Sequence, residues 1–190
     1  MFTDIVTDRL TLRRLRQSDA ERMFLYRSDP DVARYQDWKP ESIDETRQFI
    51  DTCSRVDINR PDTWFQLALV HRVGGTLIGD CGLHFLSSDP RQVEIGITVA
   101  PSHHRQGFGS ETVMALLEFL FAKLAKHRVF ASVDPRNTAA IALFTRVGMR
   151  KEAHFIQSLW LNGEWVDDVI FAMLEREWKL RSTSQAAIRL

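Results

Sequence analysis

The amino-acid sequence predicts a single α/β domain in which a mixed, mostly antiparallel, twisted sheet is flanked by helices. Apolar residues alternate with polar or small ones over residues 93–99, which is typical of a half-buried strand. From Gly109 to Leu124 apolar residues recur every three or four positions, which predicts a long amphipathic helix. Two β-prone runs, 64–71 and 76–85, flank a pair of glycines, which indicates a hairpin. Strands that outnumber helices and meet in hairpins favour a mixed sheet over a purely parallel one.

The remaining elements follow from the same periodicities and from signals at their ends. We expect strands over 9–15, 129–133, 156–160 and 166–174, and helices over 19–27, after Ser42 to near residue 56, and over 140–147. Ser18 and Ser42 each precede a glutamate by three positions, which is the spacing of a capping box. Gly148 suits a left-handed helix cap, and Asn162 with Gly163 predicts the turn between the closing strands.

The composition is that of an ordinary globular protein. The 190 residues fit one domain, which we expect to span residues 1–180 and to be followed by a disordered tail over 181–190. Twenty-five basic residues balance 25 acidic ones, so no field of one sign favours nucleic acid or a membrane surface. There is no apolar run of membrane-spanning length and no signal peptide, and the two cysteines lack metal-type spacing. We therefore expect a cytoplasmic protein without a metal site.

The most informative stretch is the loop between the strand over 93–99 and the helix that follows it. Gly107 and Gly109 stand at the helix N-terminus, where glycines let the backbone approach a ligand and where free amides favour an anion such as a phosphate. Arg105 adds a positive charge beside them. The alternative is that the glycines only permit a tight turn. A nucleotide-binding P-loop is excluded, because the residues after Gly109 are not Lys and then Ser or Thr.

Several motifs along the chain share their order with one known family. They are TDRLTLR from Thr7, LIGDCGL from Leu77, VEIGITVAP from Val93, HRQGFG from His104 and the segment from Asn137 to Met149. Together they resemble the GNAT superfamily of acetyltransferases, and more narrowly its Rim-type branch, which includes enzymes that acetylate the N-termini of ribosomal proteins. The resemblance covers nearly the whole chain, so it is more specific than the glycine loop alone. It implies a GNAT-like sheet and an acetyl-CoA-dependent N-acetyltransferase.

The resemblance also implies which residues bind the cosubstrate, acetyl-CoA. In the family a loop of the pattern R/Q-x-x-G-x-G/A wraps the pyrophosphate, and the matching residues with the position after them are His104, Arg105, Gln106, Gly107, Phe108, Gly109 and Ser110. His104 departs from the usual Arg or Gln, so the backbone rather than this side chain is expected to bind. The pantetheine arm is expected to pair with the backbone of Ile97, Thr98 and Val99. Phe144 lies on the helix expected beside the cofactor, and Asn137 either faces the cofactor or caps that helix.

Acetyl transfer also needs an acid and a base, because an amine of pKa near ~10 must lose a proton before it attacks. Glu94 matches a glutamate often assigned as the base; the alternative is an exposed or ion-paired strand carboxylate. Phe144 and Ala140 stand where relatives carry Tyr or Ser, so we expect solvent to protonate the departing thiolate. His84 either faces the acceptor or is satisfied within its strand, and Trp64, like Trp38, either lines an acceptor pocket or belongs to the core.

The sequence thus predicts an enzyme that moves an acetyl group directly from acetyl-CoA to a primary amine, either a protein N-terminus or a small molecule. The missing acid keeps open one alternative, a non-catalytic or weakly catalytic acyl-CoA-binding module. Nothing in the sequence identifies the acceptor. The protein is expected to act as a monomer or a homodimer.

Overall fold

The fold is one eight-stranded sheet with helices packed on both faces. The structure, a computed structural model, describes residues 2–188, and of residues 182–188 it describes only the backbone. The strands are β1 (Ile5–Val6), β2 (Leu10–Arg14), β3 (Thr63–His71), β4 (Leu77–Phe85), β5 (Gln92–Val99), β6 (Arg128–Val133), β7 (Arg150–Leu161) and β8 (Glu164–Leu174). The helices are α1 (Ala20–Arg27), α2 (Pro30–Ala33), α3 (Ile43–Ser54), α4 (Phe108–Glu118), α5 (Thr138–Arg146) and α6 (Glu175–Ile188).

The strands lie in the order β1-β2-β3-β4-β5-β6-β8-β7. Every neighbouring pair is antiparallel except β5 and β6, which are parallel. The mixed, mostly antiparallel sheet predicted from the sequence is therefore confirmed. No helix among residues 2–188 is long and apolar enough to cross a membrane. The predicted tail covers residues 181–190, and the structure does not describe the side chains of residues 182–190. The domain boundary at residue 180 therefore stays a prediction.

Some elements differ from those that the sequence predicted. The sequence predicts an α-helix that reaches Leu124, but the α-helix ends at Glu118. The chain continues as a π-helical turn over Phe119–Lys123, in which both Leu120 and Phe121 are buried in the core. β7 begins at Arg150, earlier than predicted. The sequence did not indicate this start, because the first residues of the strand are mostly exposed and show no apolar alternation. Ser18 does not cap α1; it lies in a 3₁₀ turn, and the neighbouring Asp19 carboxylate accepts from the Arg16 amide instead.

The two faces of the sheet carry different side chains. Because residues alternate along a strand, Cys81, Leu83 and Phe85 of β4 point to one side, where they pack in the large core with residues of α4 and α5. Asp80, Gly82 and His84 point to the other side, where α1 and α3 cover a smaller core. We call these the α4 side and the α1 side. The same alternation in β5 puts Val93 and Ile95 on the α4 side and Glu94 on the α1 side.

The parallel pair is short. β5 and β6 pair only between Gln92–Glu94 and Arg128–Phe130, although β5 continues to Val99 and β6 to Val133. Beyond Glu94 the two strands separate, while β5 stays paired with β4 and β6 stays paired with β8. We call the opening between residues 95–99 and 131–133 the strand gap. Backbone groups of β5 that face it have no strand partner.

Candidate active site

The loop after β5 leads into α4 through two positive-φ residues. A 3₁₀ turn over Pro101–His103 follows the strand, then Arg105 has φ 58° and Gly107 has φ 83°. Gly107 is the N-cap of α4, where a residue with a Cβ atom would be strained. The first amides of a helix have no intrahelical acceptor, so those of Phe108, Gly109 and Ser110 are available to an anion. The loop thus has a glycine N-cap and free helix amides, and anion binding at this loop stays a prediction.

Side chains of the loop mainly hold the loop itself. The Nε2 atom of His104 lies 2.7 Å from the carbonyl oxygen of Val99, and the Gln106 amide donates to the carbonyl of Ser102 at 3.0 Å. The Phe108 ring is buried. A bound ligand would therefore meet mostly backbone here, in agreement with the expectation for His104. Arg105 is exposed and contributes charge.

Arg9, which no sequence argument singled out as a site residue, fixes this loop from the start of the sheet. Its guanidinium donates to the carbonyl of Gln106 at 2.9 Å and to the Glu111 carboxylate at 2.7 Å, and it covers the Phe108 ring at 4.4 Å. Thr7 donates to the same carboxylate at 2.6 Å. Partial burial works to raise the pKa of Glu111, but these hydrogen bonds outweigh it and lower the pKa. The contacts join two segments, residues 7–9 and 106–111, that are distant in sequence, so local patterns could not reveal them.

The β5 backbone presents free groups to the strand gap. The Ala100 amide donates to the carbonyl of Ile78 at 2.8 Å, and residues of an antiparallel ladder alternate between facing the partner and facing away. The backbones of Ile97 and Val99 therefore face the gap. Of the three residues expected to pair with the pantetheine arm, Thr98 instead has its backbone groups turned to β4. A Cβ atom at Gly79 of β4 would lie 2.2 Å from the Thr98 carbonyl oxygen, so this close pairing requires glycine.

Asn137 and Phe144 lie on the far side of the gap, on α5. The Asn137 side chain accepts from the Ala140 amide at 3.0 Å, so the N-cap alternative is the one that the structure contains. Phe144 is buried and stacks with Phe171 at a centroid distance of 6.0 Å. α5 packs closely on α4, because a Cβ atom at Gly109 would lie 3.4 Å from Leu143. A contact of Asn137 or Phe144 with the cofactor stays a prediction.

Glu94 stands on the α1 side of the sheet, directly opposite His84 of β4. Its side chain is 24% exposed, and its Oε2 lies 3.5 Å from Nδ1 of His84. Burial raises the pKa of the Glu94 carboxyl above its ordinary value; His84 opposes this rise, and the charges of Asp168 and Asp37 add to it. A carboxyl with a raised pKa in a partly open position is typical of a general base.

Trp64 forms a wall beside these two residues. Its ring stacks on His84 with centroids 4.9 Å apart and an angle of 12°, and the residue is 39% exposed. A Cβ atom at Gly82 would lie 2.7 Å from Cε3 of Trp64, so this glycine gives the ring its place. Trp38, by contrast, stacks on Phe49 at 4.2 Å beside the smaller core. Of the two tryptophans considered from the sequence, Trp64 is the one that stacks on His84, the cross-strand partner of Glu94.

Asp168 of β8 was not predicted as a site residue. Its carboxylate is buried, accepts from the Ser132 hydroxyl at 2.7 Å and from the Val133 amide at 3.2 Å, and lies on the α1 side. The charge of Asp37, after α2, also acts on Glu94, and like that of Asp168 it raises the Glu94 pKa. We call the surroundings of Glu94, with Asp168 and Asp37, the cleft, and they are acidic although the chain as a whole is neutral.

The segment after α2 also reaches across to the α5 side of the gap. The Tyr35 hydroxyl donates to the carbonyl of Arg136 at 3.3 Å, and the Asn162 amide donates to the carbonyl of Arg34 at 3.1 Å. Arg136 pairs with Glu164 at 2.7 Å. These contacts connect the segment after α2 with the residues before α5 and with the turn between β7 and β8.

Comparisons with known proteins agree with this fold and show the family of the chain. The acetyltransferase (GNAT) domain model matches residues 9–150. YoaA of Bacillus subtilis strain 168, which is named an uncharacterized N-acetyltransferase, is 32% identical over 177 residues that cover 92% of this chain and 98% of YoaA. The chain therefore belongs to the GNAT acetyltransferase family, and it is an N-acetyltransferase, as the sequence predicted.

Two solved structures show the likeness in three dimensions. A GNAT-family acetyltransferase from Bacillus anthracis is 26% identical, with a TM-score of 0.81 over 92% of this chain and all of that one. A spermidine N-acetyltransferase from Vibrio cholerae, solved with CoA and spermine, is 22% identical, with a TM-score of 0.77 over 90% of this chain and 99% of that one. The second likeness concerns the fold alone.

Proposed function

We propose that the protein transfers the acetyl group of acetyl-CoA directly to a primary amine, as a member of the Rim-type branch. The observation that carries this proposal is the arrangement of β5. The strand presents a carboxyl side chain at Glu94, then backbone without a strand partner at Ile97 and Val99, and then a glycine-capped helix N-terminus. Base, arm-binding edge and anion site thus follow one another along a single segment.

Acetyl-CoA is bound mainly by backbone groups in this proposal. The amides of Phe108, Gly109 and Ser110 hold the pyrophosphate at the positive end of the α4 dipole, and Arg105 adds charge. The pantetheine arm enters the strand gap and pairs with Ile97 and Val99 as a further strand would. Asn137 and Phe144 on α5 bound the other side.

The chemical step needs one base. Glu94 takes a proton from the acceptor amine, directly or through water, and the neutral nitrogen attacks the thioester carbon. A C–N bond forms, the attacking nitrogen loses its second proton to solvent, the C–S bond breaks, and solvent protonates the departing thiolate. The Val99 amide, which faces the gap, donates to the oxygen that becomes negative in the transition state.

The acceptor is proposed to be a cationic amine. Glu94, Asp168 and Asp37 give the cleft a negative charge, which attracts an ammonium group before Glu94 removes its proton. A small molecule with more than one amino group gains most from this charge. A protein N-terminus carries only one such group, unless basic residues follow it.

Release of free thiol from acetyl-CoA, measured over a panel of polyamines, aminoglycosides and N-terminal peptides, tests the proposal. We expect turnover with at least one class. Glu94→Gln should lower the rate by roughly 10²–10⁴, the range of general-base catalysis, and leave the acetyl-CoA affinity unchanged in calorimetry. The matched control is Glu118→Gln, which changes an exposed glutamate of α4. Near-normal turnover of Glu94→Gln would show that Glu94 has only a structural part.

A further inference from the structure

His84 has surroundings that a histidine merely satisfied within a strand would not need. It pairs directly with Glu94 across β4 and β5, and its side chain is 22% exposed. One ring nitrogen, Nδ1, lies 3.5 Å from Glu94 Oε2, and the other, Nε2, lies 4.0 Å from Oδ1 of the exposed Asp62. The imidazole therefore stands between the partly buried carboxylate and the outside of the protein.

The orientation of the ring is fixed by its neighbours. Trp64 stacks on one face of the imidazole, and the absence of a side chain at Gly82 lets the indole lie flat against β4. Both contacts of the ring, with Trp64 of β3 and with Glu94 of β5, come from regular strands. A catalytic carboxylate that is held this way loses less of its geometry to rotation.

We propose that His84 is a positioning residue for Glu94, because its Nδ1 atom holds one carboxylate oxygen and leaves the other free for the acceptor amine. This inference rests on the proposed role of Glu94. A separation of 3.5 Å is long for a hydrogen bond, and such contacts commonly shorten when the substrates bind. His84 itself needs no contact with acetyl-CoA or with the acceptor.

The pairing has a consequence for the pH dependence. A donor at Oε2 stabilises the charged form of Glu94, so removing it lets the carboxyl take up a proton at higher pH. The other groups that face the pair are Asp62, from the segment before β3, Asp168 of β8 and Asp37 after α2. All of them remain when His84 alone is changed. The acidic limb of the kcat/KM profile should therefore move to higher pH in a variant that lacks the Nδ1 atom.

Two substitutions separate holding from packing. His84→Phe keeps a ring against Trp64 but has no nitrogen, and we expect kcat/KM to fall by roughly 10-fold to 100-fold, the cost of a misplaced catalytic group, with the limb moved to higher pH. His84→Asn can place an amide N–H near the site of Nδ1, and it should recover part of the rate and of the limb position. The acetyl-CoA affinity should stay constant in both. His127→Phe, at an exposed histidine outside the cleft, is the matched control.

A double variant shows whether His84 acts through Glu94. If it does, adding His84→Phe to Glu94→Gln lowers the rate no further, because the group that His84 holds is already inactive. Equal acidic limbs in the wild type and His84→Phe, or a further loss in the double variant as large as in the single one, would overturn the inference. Failure of the proposed base looks different, because Glu94→Gln by itself would then keep its turnover.

Discussion

Arg27 of α1 and Asp80 of β4 form an ion pair that is withdrawn from solvent, with side chains 9% and 0% exposed. The Arg27 Nε atom donates to Asp80 Oδ1 at 3.1 Å, and the Tyr26 hydroxyl donates to the same oxygen at 2.8 Å. Arg27 also donates to the Gln36 side chain at 3.0 Å. The pair therefore fixes α1, and with it the segment after α2, to the centre of the sheet beside Thr98.

Breaking this pair should destabilise the protein strongly. Asp80→Leu leaves the Arg27 guanidinium buried without its counter-charge, and we expect the free energy of unfolding in urea to fall by about 3–5 kcal/mol. Arg27→Met combined with Asp80→Leu should recover much of the loss. Asp51→Asn, which breaks an exposed pair with Arg55 on α3, should change stability by less than about 1 kcal/mol. A loss of unfolding free energy that is of similar size in Asp80→Leu and in Asp51→Asn would contradict the prediction.

Weakening the Arg9 contacts should affect the cofactor more than the fold. Arg9→Gln removes the donors to Glu111 and to the Gln106 carbonyl, so the loop becomes less ordered before it binds. Because Arg9 is 44% exposed, the effect on stability is small. We expect the KM for acetyl-CoA to rise by about tenfold, or ~1.4 kcal/mol, at nearly constant kcat. Arg91→Gln, in an exposed pair with Asp89, should leave KM unchanged.

Two glycines with nearly equal φ angles allow the effect of backbone strain to be distinguished from the effect on acetyl-CoA binding. Gly107 at the N-cap of α4 has φ 83°, and Gly163 in the turn between β7 and β8 has φ 86° with open space around it. Valine at either position meets similar backbone strain. Only Gly107→Val should abolish acetyl-CoA binding in calorimetry, because the new side chain blocks the approach to the helix amides. If both variants bind acetyl-CoA as the wild type does, the anion site lies elsewhere.

The pH profile of turnover should have one limb. Glu94 must be deprotonated to act, and burial raises its pKa, so activity should fall as the pH drops through a value above the ordinary 4.5 of glutamate. On the alkaline side we expect a plateau, since Phe144 and Ala140 offer no hydroxyl to protonate the thiolate. Tyr35, whose hydroxyl lies near α5, provides the sharpest check. A descending alkaline limb that disappears in Tyr35→Phe would reveal the acid.

What the sequence could predict here was local. The alternation in β5, the helical face of α4 and the glycines between them follow from neighbouring residues, and each lies where its pattern indicated. The family resemblance predicts Glu94 as the base, a role that stays a prediction, but its partner His84 follows only from the register of β4 against β5. Arg9, Asp80 and Asp168 went unrecognised because their partners are distant in sequence. No periodicity records which charge will be buried beside which helix.

Because β5 and β6 share only three paired positions, the sheet consists of two sections that few hydrogen bonds join. A bound pantetheine arm would add hydrogen bonds to β5 beyond Glu94, so the substrate would also connect the two sections of the sheet. The amide protons of Ile97 and Val99 should then exchange rapidly with deuterium in the free enzyme and slowly in its complex with CoA. β4 is paired with β3 on one side and with β5 on the other, with or without CoA. Amides in the centre of β4 should therefore exchange at the same rate in the free enzyme and in the complex. Hydrogen bonds would thus join the two sections of the sheet along the full length of β5 only while the cofactor is bound.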